Sequence, residues 1–318
     1  MMVYPAEPVL DSSFYLPPLH HAVFQLQENE VKTLVENGVD INEPAGEGLT
    51  ALHISVRNDC SSVITELLIA AGADIGCKTS YGFTPLHESV RNCSVLNTKL
   101  LLKHSVNFKT PDYQGLSPLD WAIYNLMETM HGDSHLIAIA SKILEELLDW
   151  ATPYSKESMS KIYLMFDFYS QLRAVRVVSR HSLKLKCANL PYDDRLLWDE
   201  VKLISYKSAC LVELVRMKCT KVDGHSLYCV FSSCISVLSV TDMVNLIWTP
   251  EFLKEFPIYG SLMQAKFTKK KKRHDLLNLA EESLTELFVN SEIFIPDMVI
   301  RKILSYISNE DLQGIIVT

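Results

Sequence analysis

The stretch TPLHESVRN, residues 84–92, decides how this sequence is read. Thr84 can accept hydrogen bonds from the free N–H groups of a helix's first turn. Pro85 fits the first helical position, where a missing donor costs nothing. Working outward, related segments recur: PLHHA begins at 18, ALHIS at 51, PLHES at 85 and PLDWA at 118, spaced 33, 34 and 33 residues apart. Thr50, Thr84 and Ser117 hold the cap position, with Gly48, Gly82 and Gly115 just ahead, and GVDIN at 38, GADIG at 72 and SVNFK at 105 follow in step. Leu34-Val35, Leu67-Leu68 and Leu101-Leu102 supply the apolar face of a second helix, and Gly38 and Gly72 suit the left-handed residue that ends it. One such unit cannot bury that face alone, so neighbours must stack.

With this period and these motifs, residues 16 to 152 resemble the ankyrin-repeat family, in about four repeats. Three departures stand out. Pro17 replaces the capping threonine of repeat one, Ser105 replaces a glycine in repeat three, and Asp120 replaces the histidine of repeat four. The last repeat also carries the extra residues METMHGDSHLIAI before Leu147-Leu148, which predicts a bulged connection and a closing repeat. His20, His53 and His87 are expected to hold turns through hydrogen bonds rather than to bind ligands.

Composition narrows the function. The 318 residues allow roughly two domains, and 30 basic against 38 acidic side chains leave a net charge of −8, unlike the cationic face that nucleic-acid binding requires. The eight cysteines, at 60, 77, 93, 187, 210, 219, 229 and 234, form no CxxC pair and read as reduced thiols of an intracellular protein. MMVYPAEPVLDSSF lacks the basic and apolar regions of a secretory signal, so export by that route is not expected. The longest uncharged run, Ser226–Thr241, falls short of the roughly 20 residues that span a bilayer and reads as a buried helix. His131 and His135 have a zinc-compatible spacing but Gly132 between them and no third ligand, so no metal is expected. No phosphate-binding loop, nucleophile elbow or dinucleotide glycine pattern occurs, and neither catalysis nor a cofactor is expected.

Eight of the eleven glycines lie at or before Gly132. Beyond Pro153 turn-rich repeats give way to longer helical runs, notably SKIYLMFDFYSQLRAVRVV, DDRLLWDEVKLISYKSACLVELVRMK and KRHDLLNLAEESLTELFVN. Near the end, IPDMVIRKILSYISNEDL (295–312) places Ile300, Ile303, Leu304 and Ile307 on one helical stripe opened by Pro296. A second short helix is expected after it, capped by Ser308 or Asn309, with Asp311 in its first turn.

This box resembles the opening of an F-box. Together with the preceding FPIYGSLMQAKFTKKKKRHDLL and the repeats, the order of modules resembles the PRANC family. The resemblance implies an all-α protein: an N-terminal extension (1–15), an ankyrin solenoid (16–152), an irregular helical PRANC-type domain (153–290) and a truncated F-box-like motif (291–318). It also implies a substrate receptor that carries no chemistry of its own. The array would take an unknown target protein, and the box would recruit a Skp-type adaptor and its cullin-RING ubiquitin ligase, with no nucleic acid and no membrane involved. Ile295, Pro296, Val299, Ile300, Ile303, Leu304, Ile307 and Leu312 would form the adaptor interface, with Ile295, Val299 and Ile300 shared between that surface and the core. On the ankyrin face the candidates are Phe24, Arg57, Asn58, Arg91, Asn92, Tyr81 and Tyr113, with Glu43, Lys78 and Asp112 at the turn tips. Lys269, Lys270, Lys271, Lys272 and Arg273 read as a solvated loop between helices, against the alternatives of a phosphate patch or a nuclear import signal beside a cytoplasmic one. The competing function is a ligase-independent decoy that sequesters a signalling protein such as an NF-kappaB-type factor, with the terminal box as plain core.

Overall fold

The computed structural model describes residues 16–104, 106–128, 134–151, 173–197, 203–222, 224–232, 246–290 and 295–317. The fold is all-α. Apart from turns, the described residues depart from helix chiefly in a ribbon of two-residue strands, β1 (Lys221–Val222) antiparallel to β2 (His225–Ser226). The chain divides into two compact units, Met1–Leu211 and Val212–Thr318.

The first unit begins with three helix pairs: α1 (Pro18–Phe24) with α2 (Glu28–Glu36), α3 (Ala51–Ser55) with α4 (Ser62–Ala70), and α5 (Pro85–Arg91) with α6 (Val95–Lys103). Thr50 and Thr84 cap α3 and α5 as the sequence predicts, each closing a box with the histidine three residues on. The backbone N–H and the hydroxyl of Thr84 lie 3.1 and 2.8 Å from His87 Nδ1, and those of Thr50 lie 3.2 and 2.9 Å from His53 Nδ1. The other ring nitrogen reaches the next repeat: His20 Nε2 to the Leu49 carbonyl at 3.0 Å, His53 Nε2 to Phe83 at 3.1 Å, and His87 Nε2 to Leu116 at 3.1 Å. A carbonyl only accepts, so Nε2 carries the hydrogen and Nδ1 is the bare acceptor. Burial holds His53 and His87 neutral, with pKa values lowered from 6.5 to about 4.

The turn tips form a second ladder. Ser80 N donates to the Glu47 carbonyl at 2.8 Å and Tyr113 N to Tyr81 at 3.2 Å. Gly82 has φ +80°, and a Cβ there would meet Tyr113 N at 2.7 Å, so both the turn and the close approach require glycine. Gly38 and Gly72, at φ +77° and +94°, end α2 and α4 as expected. A third link uses Asp59, whose carboxylate accepts from Ser94 Oγ, Val95 N and Leu96 N and so caps the outer helix of the next repeat.

Repeat four enlarges both helices, α7 (Pro118–Glu128) and α8 (Ser134–Ala151). Asp120 accepts from Ser117 N and Oγ, both at 2.7 Å, and keeps the box of its helix closed. Ser105 and the connection over 129–133 lie outside the described residues. Helix α9 (Arg173–Cys187) packs on α7 and α8 and is pinned by a buried ion pair, Lys184 Nζ to Asp149 at 2.6 and 2.7 Å, with His181 Nδ1 at 3.1 Å. Burial alone would raise the Asp149 carboxyl; the Lys184 ammonium and the His181 hydrogen bond together outweigh it and hold the group ionised. Helix α10 (Ile204–Cys219) holds the division between the units, and residues 160–172 and 198–202 of the predicted helical runs lie outside the described residues.

In the second unit, α11 (Leu227–Phe231) lies in the described part of the uncharged run, of which 233–241 lies outside the described residues. Pro250 opens α12 (Pro250–Glu255) behind a Thr249 cap. The buried Glu213 carboxylate accepts from Ile258 N and Tyr259 N, fixing the turn into α13 (Gly260–Asn290). The sequence reading needs one correction here: Lys269–Arg273 is not a loop but lies inside this 31-residue helix. Lysine and arginine are good helix formers, and Met263 and Phe267 before the run and Leu276 and Ala280 after it are buried and hold both flanks in helix. Helices α14 (Asp297–Ser305) and α15 (Asn309–Val317) follow, both packed on α13.

Candidate interaction surfaces

Helix α14 begins behind Pro296. It turns into α15 through Ser308, whose Oγ accepts from Asp311 N at 3.2 Å and donates to the Asp311 carboxylate at 2.6 Å. The three helices share a core of Leu276, Ala280, Ile300, Leu304 and Leu312, with Leu277, Leu284, Ile295, Ile307, Ile315 and Ile316 partly buried against it.

This core divides the predicted adaptor residues. Ile300, Leu304 and Leu312 are 2, 1 and 0 % exposed and offer no surface, because the second half of α13 already covers them. Ile295 and Ile307 are half-buried at its edge, and Pro296 is exposed. Val299 and Ile303 face outward, with Met298 and Tyr306, at 46, 53, 83 and 81 % exposure. Val299, Ile303 and Tyr306 recur at i, i+4, i+7, a second apolar stripe beside the buried one. A stripe read from Ile300 leaves out Met298 and Tyr306; the register that starts at Val299 includes Tyr306.

On the repeats, Arg57 and Arg91 do stand together, but around Glu88 rather than outward. Glu88 is buried, Arg91 Nη1 lies 3.5 Å from one carboxylate oxygen, and Arg57 Nε lies 3.3 Å from the other without hydrogen-bond alignment. The Arg91 guanidinium also stacks over Phe83 and Trp121, at 4.6 and 5.1 Å from the ring centres, and keeps only 13 % of its side chain exposed. Asn92 donates to the Glu88 carbonyl at 2.8 Å, and Asn58 accepts from Cys60 N at 3.0 Å while its own side chain stays exposed. The signal for this corrected arrangement is Glu88 itself, an acid on the inner face of PLHES where ALHIS has isoleucine. Phe24 (47 %) and Tyr113 (70 %) remain as exposed aromatic surface. Tyr81 is half-buried and donates to Glu47 at 3.1 Å, which raises its phenol pKa. Lys78 bonds the Pro111 carbonyl at 3.0 Å, Glu43 is exposed, and Asp112 is buried under Trp121 Nε1 at 2.9 Å.

Among the described residues, no helix is long and apolar enough to cross a membrane and no group of three or more acids, histidines or cysteines is placed to hold a metal. Compared with known families, residues 3–79 and 60–134 match ankyrin repeats, in three copies, and residues 222–317 match the PRANC domain. Both are interaction domains rather than catalytic ones. No curated protein matches the chain.

Proposed function

We propose, from the premise that this chain joins ankyrin repeats to a PRANC domain, that it is a non-enzymatic bridge inside the cell. Its array takes a target protein, and α14 recruits the Skp-type adaptor of a cullin-RING ubiquitin ligase. The observation that carries this reading is the second apolar stripe of α14, where Met298, Val299, Ile303 and Tyr306 are exposed while Ile300 and Leu304 supply the helix's buried contacts. Apolar helix ridges of this kind dock into partner grooves. On the array, Phe24, Asn58 and Tyr113 are the surface the target would meet.

Ile303→Asp tests the reading, because it alters the exposed stripe and spares the buried one. The expected result is loss of capture of a purified Skp-type adaptor with an unchanged circular-dichroism melt; capture at wild-type strength sinks the proposal. The burial of Ile300, Leu304 and Leu312 favours the second reading, a ligase-independent decoy whose terminal helices are core. Failure of the wild-type chain to capture the adaptor would overturn the ligase role and favour that reading instead.

A further inference from the structure

Helix α14 has apolar side chains on two adjacent stripes, and a rotation of about 100° about its axis would bring the exposed one into the buried position and turn the buried one out. Ile300 and Leu304 would serve as well on the outside, and Val299 and Ile303 as well on the inside, since burial rewards area and not identity. The hydrophobic effect therefore leaves the roll of α14 on α13 open. Directional polar contacts close it.

Two such contacts stand among the described residues, and both use charged residues that the interaction surface does not absorb. Arg273, last of the basic run, donates from Nη1 to Asn309 Oδ1 at 2.7 Å and from Nη2 to the Ser305 carbonyl at 3.2 Å. It thereby bridges the end of α14 and the start of α15, and its charge sits at a helix C-terminus, where the dipole favours it. Two turns along α13, Glu281 accepts from Arg301 Nε through both oxygens, at 2.8 and 2.7 Å. Going up α13 from 273 to 281 runs down α14 from 305 to 301, so the helices are antiparallel and held at two points along their length. Arginine's planar fork gives such contacts an orientation that a lysine ammonium lacks.

We propose that Arg273 and the Glu281–Arg301 pair are positioning residues that set the roll of α14 and so select which apolar face it offers to a partner. The inference rests on the docking role proposed above for α14. It also gives the basic run a structural use at its last residue.

The test is a charge reversal and its rescue in the full chain, read in two ways. The first readout is maleimide labelling, located by peptide mass, of Val299→Cys and of Ile300→Cys. The second is binding of a purified Skp-type adaptor. With the native pair, the Val299→Cys thiol labels fast and the Ile300→Cys thiol slowly. Glu281→Arg, which sets like charges together, should raise labelling at Ile300→Cys and weaken adaptor binding roughly tenfold. Adding Arg301→Glu should restore both, and Arg273→Lys should give a partial loss that a purely electrostatic contact would not show. Unchanged labelling in Glu281→Arg overturns the inference whatever the adaptor does. If the two cysteine variants label as described, and Glu281→Arg alters that labelling, but the wild-type chain binds no adaptor, the docking role is overturned and the roll-setting role stands.

Discussion

At the scale of single residues, the capping box shows what its members do by what happens when one is missing. His20 is as buried as His53 and His87 and reaches forward to the next repeat as they do, yet its Nδ1 has no partner. The cause is Pro17, which has neither a hydroxyl nor an N–H to offer. Its backbone, at φ −52° and ψ 151°, lies in the same extended region as Thr84 at −87° and 165°, so a threonine fits there. A buried acceptor left unpaired costs about 1–3 kcal/mol, and giving up proline's rigidity loses about 0.4–1 kcal/mol. Pro17→Thr should therefore stabilise the array by about 1 kcal/mol, seen as a higher denaturation midpoint. An unchanged or lower midpoint would mean that Nδ1 is satisfied by water.

At the scale of elements, α14 separates what a stripe pattern can say from what it cannot. The helix, its start at Pro296 and the Ser308 cap of α15 are all legible in IPDMVIRKILSYISNEDL, because each depends on neighbours within a turn. Which stripe is buried is not legible, since Ile300 and Leu304 become core only when Leu276 and Ala280, some two dozen positions upstream, come beside them. The basic run hides the same way: five like charges suggest solvated loop, while the apolar anchors that make it helical lie outside it. Leu304→Ala should accordingly cost about 2–5 kcal/mol by opening a cavity, while Ile303→Ala should cost less than about 1 kcal/mol. Hydrogen exchange across α14 and α15 measures the difference; equal effects from the two substitutions would contradict the assignment of core and surface.

At the scale of the molecule, the repeats were readable from the sequence because their logic is local and recurs at a fixed spacing, whereas the second unit depends on contacts such as Glu213 with Ile258 and Tyr259 that no period announces. The histidine ladder also gives the array a common response to acid. His53 and His87 ionise near 6.5 when unfolded and at about 4 when folded, mainly because burial disfavours the cation. Between those values the unfolded chain takes up protons that the folded chain refuses, so stability is full above 6.5 and is lost as pH falls toward 4. Complete passage through the window should remove on the order of 3 kcal/mol per histidine. Denaturation midpoints measured from neutral to acidic pH should fall, and His53→Gln with His87→Gln should flatten the curve; a pH-independent midpoint in the native chain would refute the neutral assignment. Asp120 has one more consequence, for how such an array can lengthen. Each histidine passes a bond onward to the carbonyl that precedes the next cap, at Leu49, Phe83 and Leu116, and Asp120, which accepts from Ser117, has no hydrogen to pass. A duplicated 33-residue unit spliced in before Ser117 would inherit a donor behind it and an acceptor ahead. The same unit appended after repeat four would meet a carboxylate, so gene duplication can extend this array from within but not from its far end.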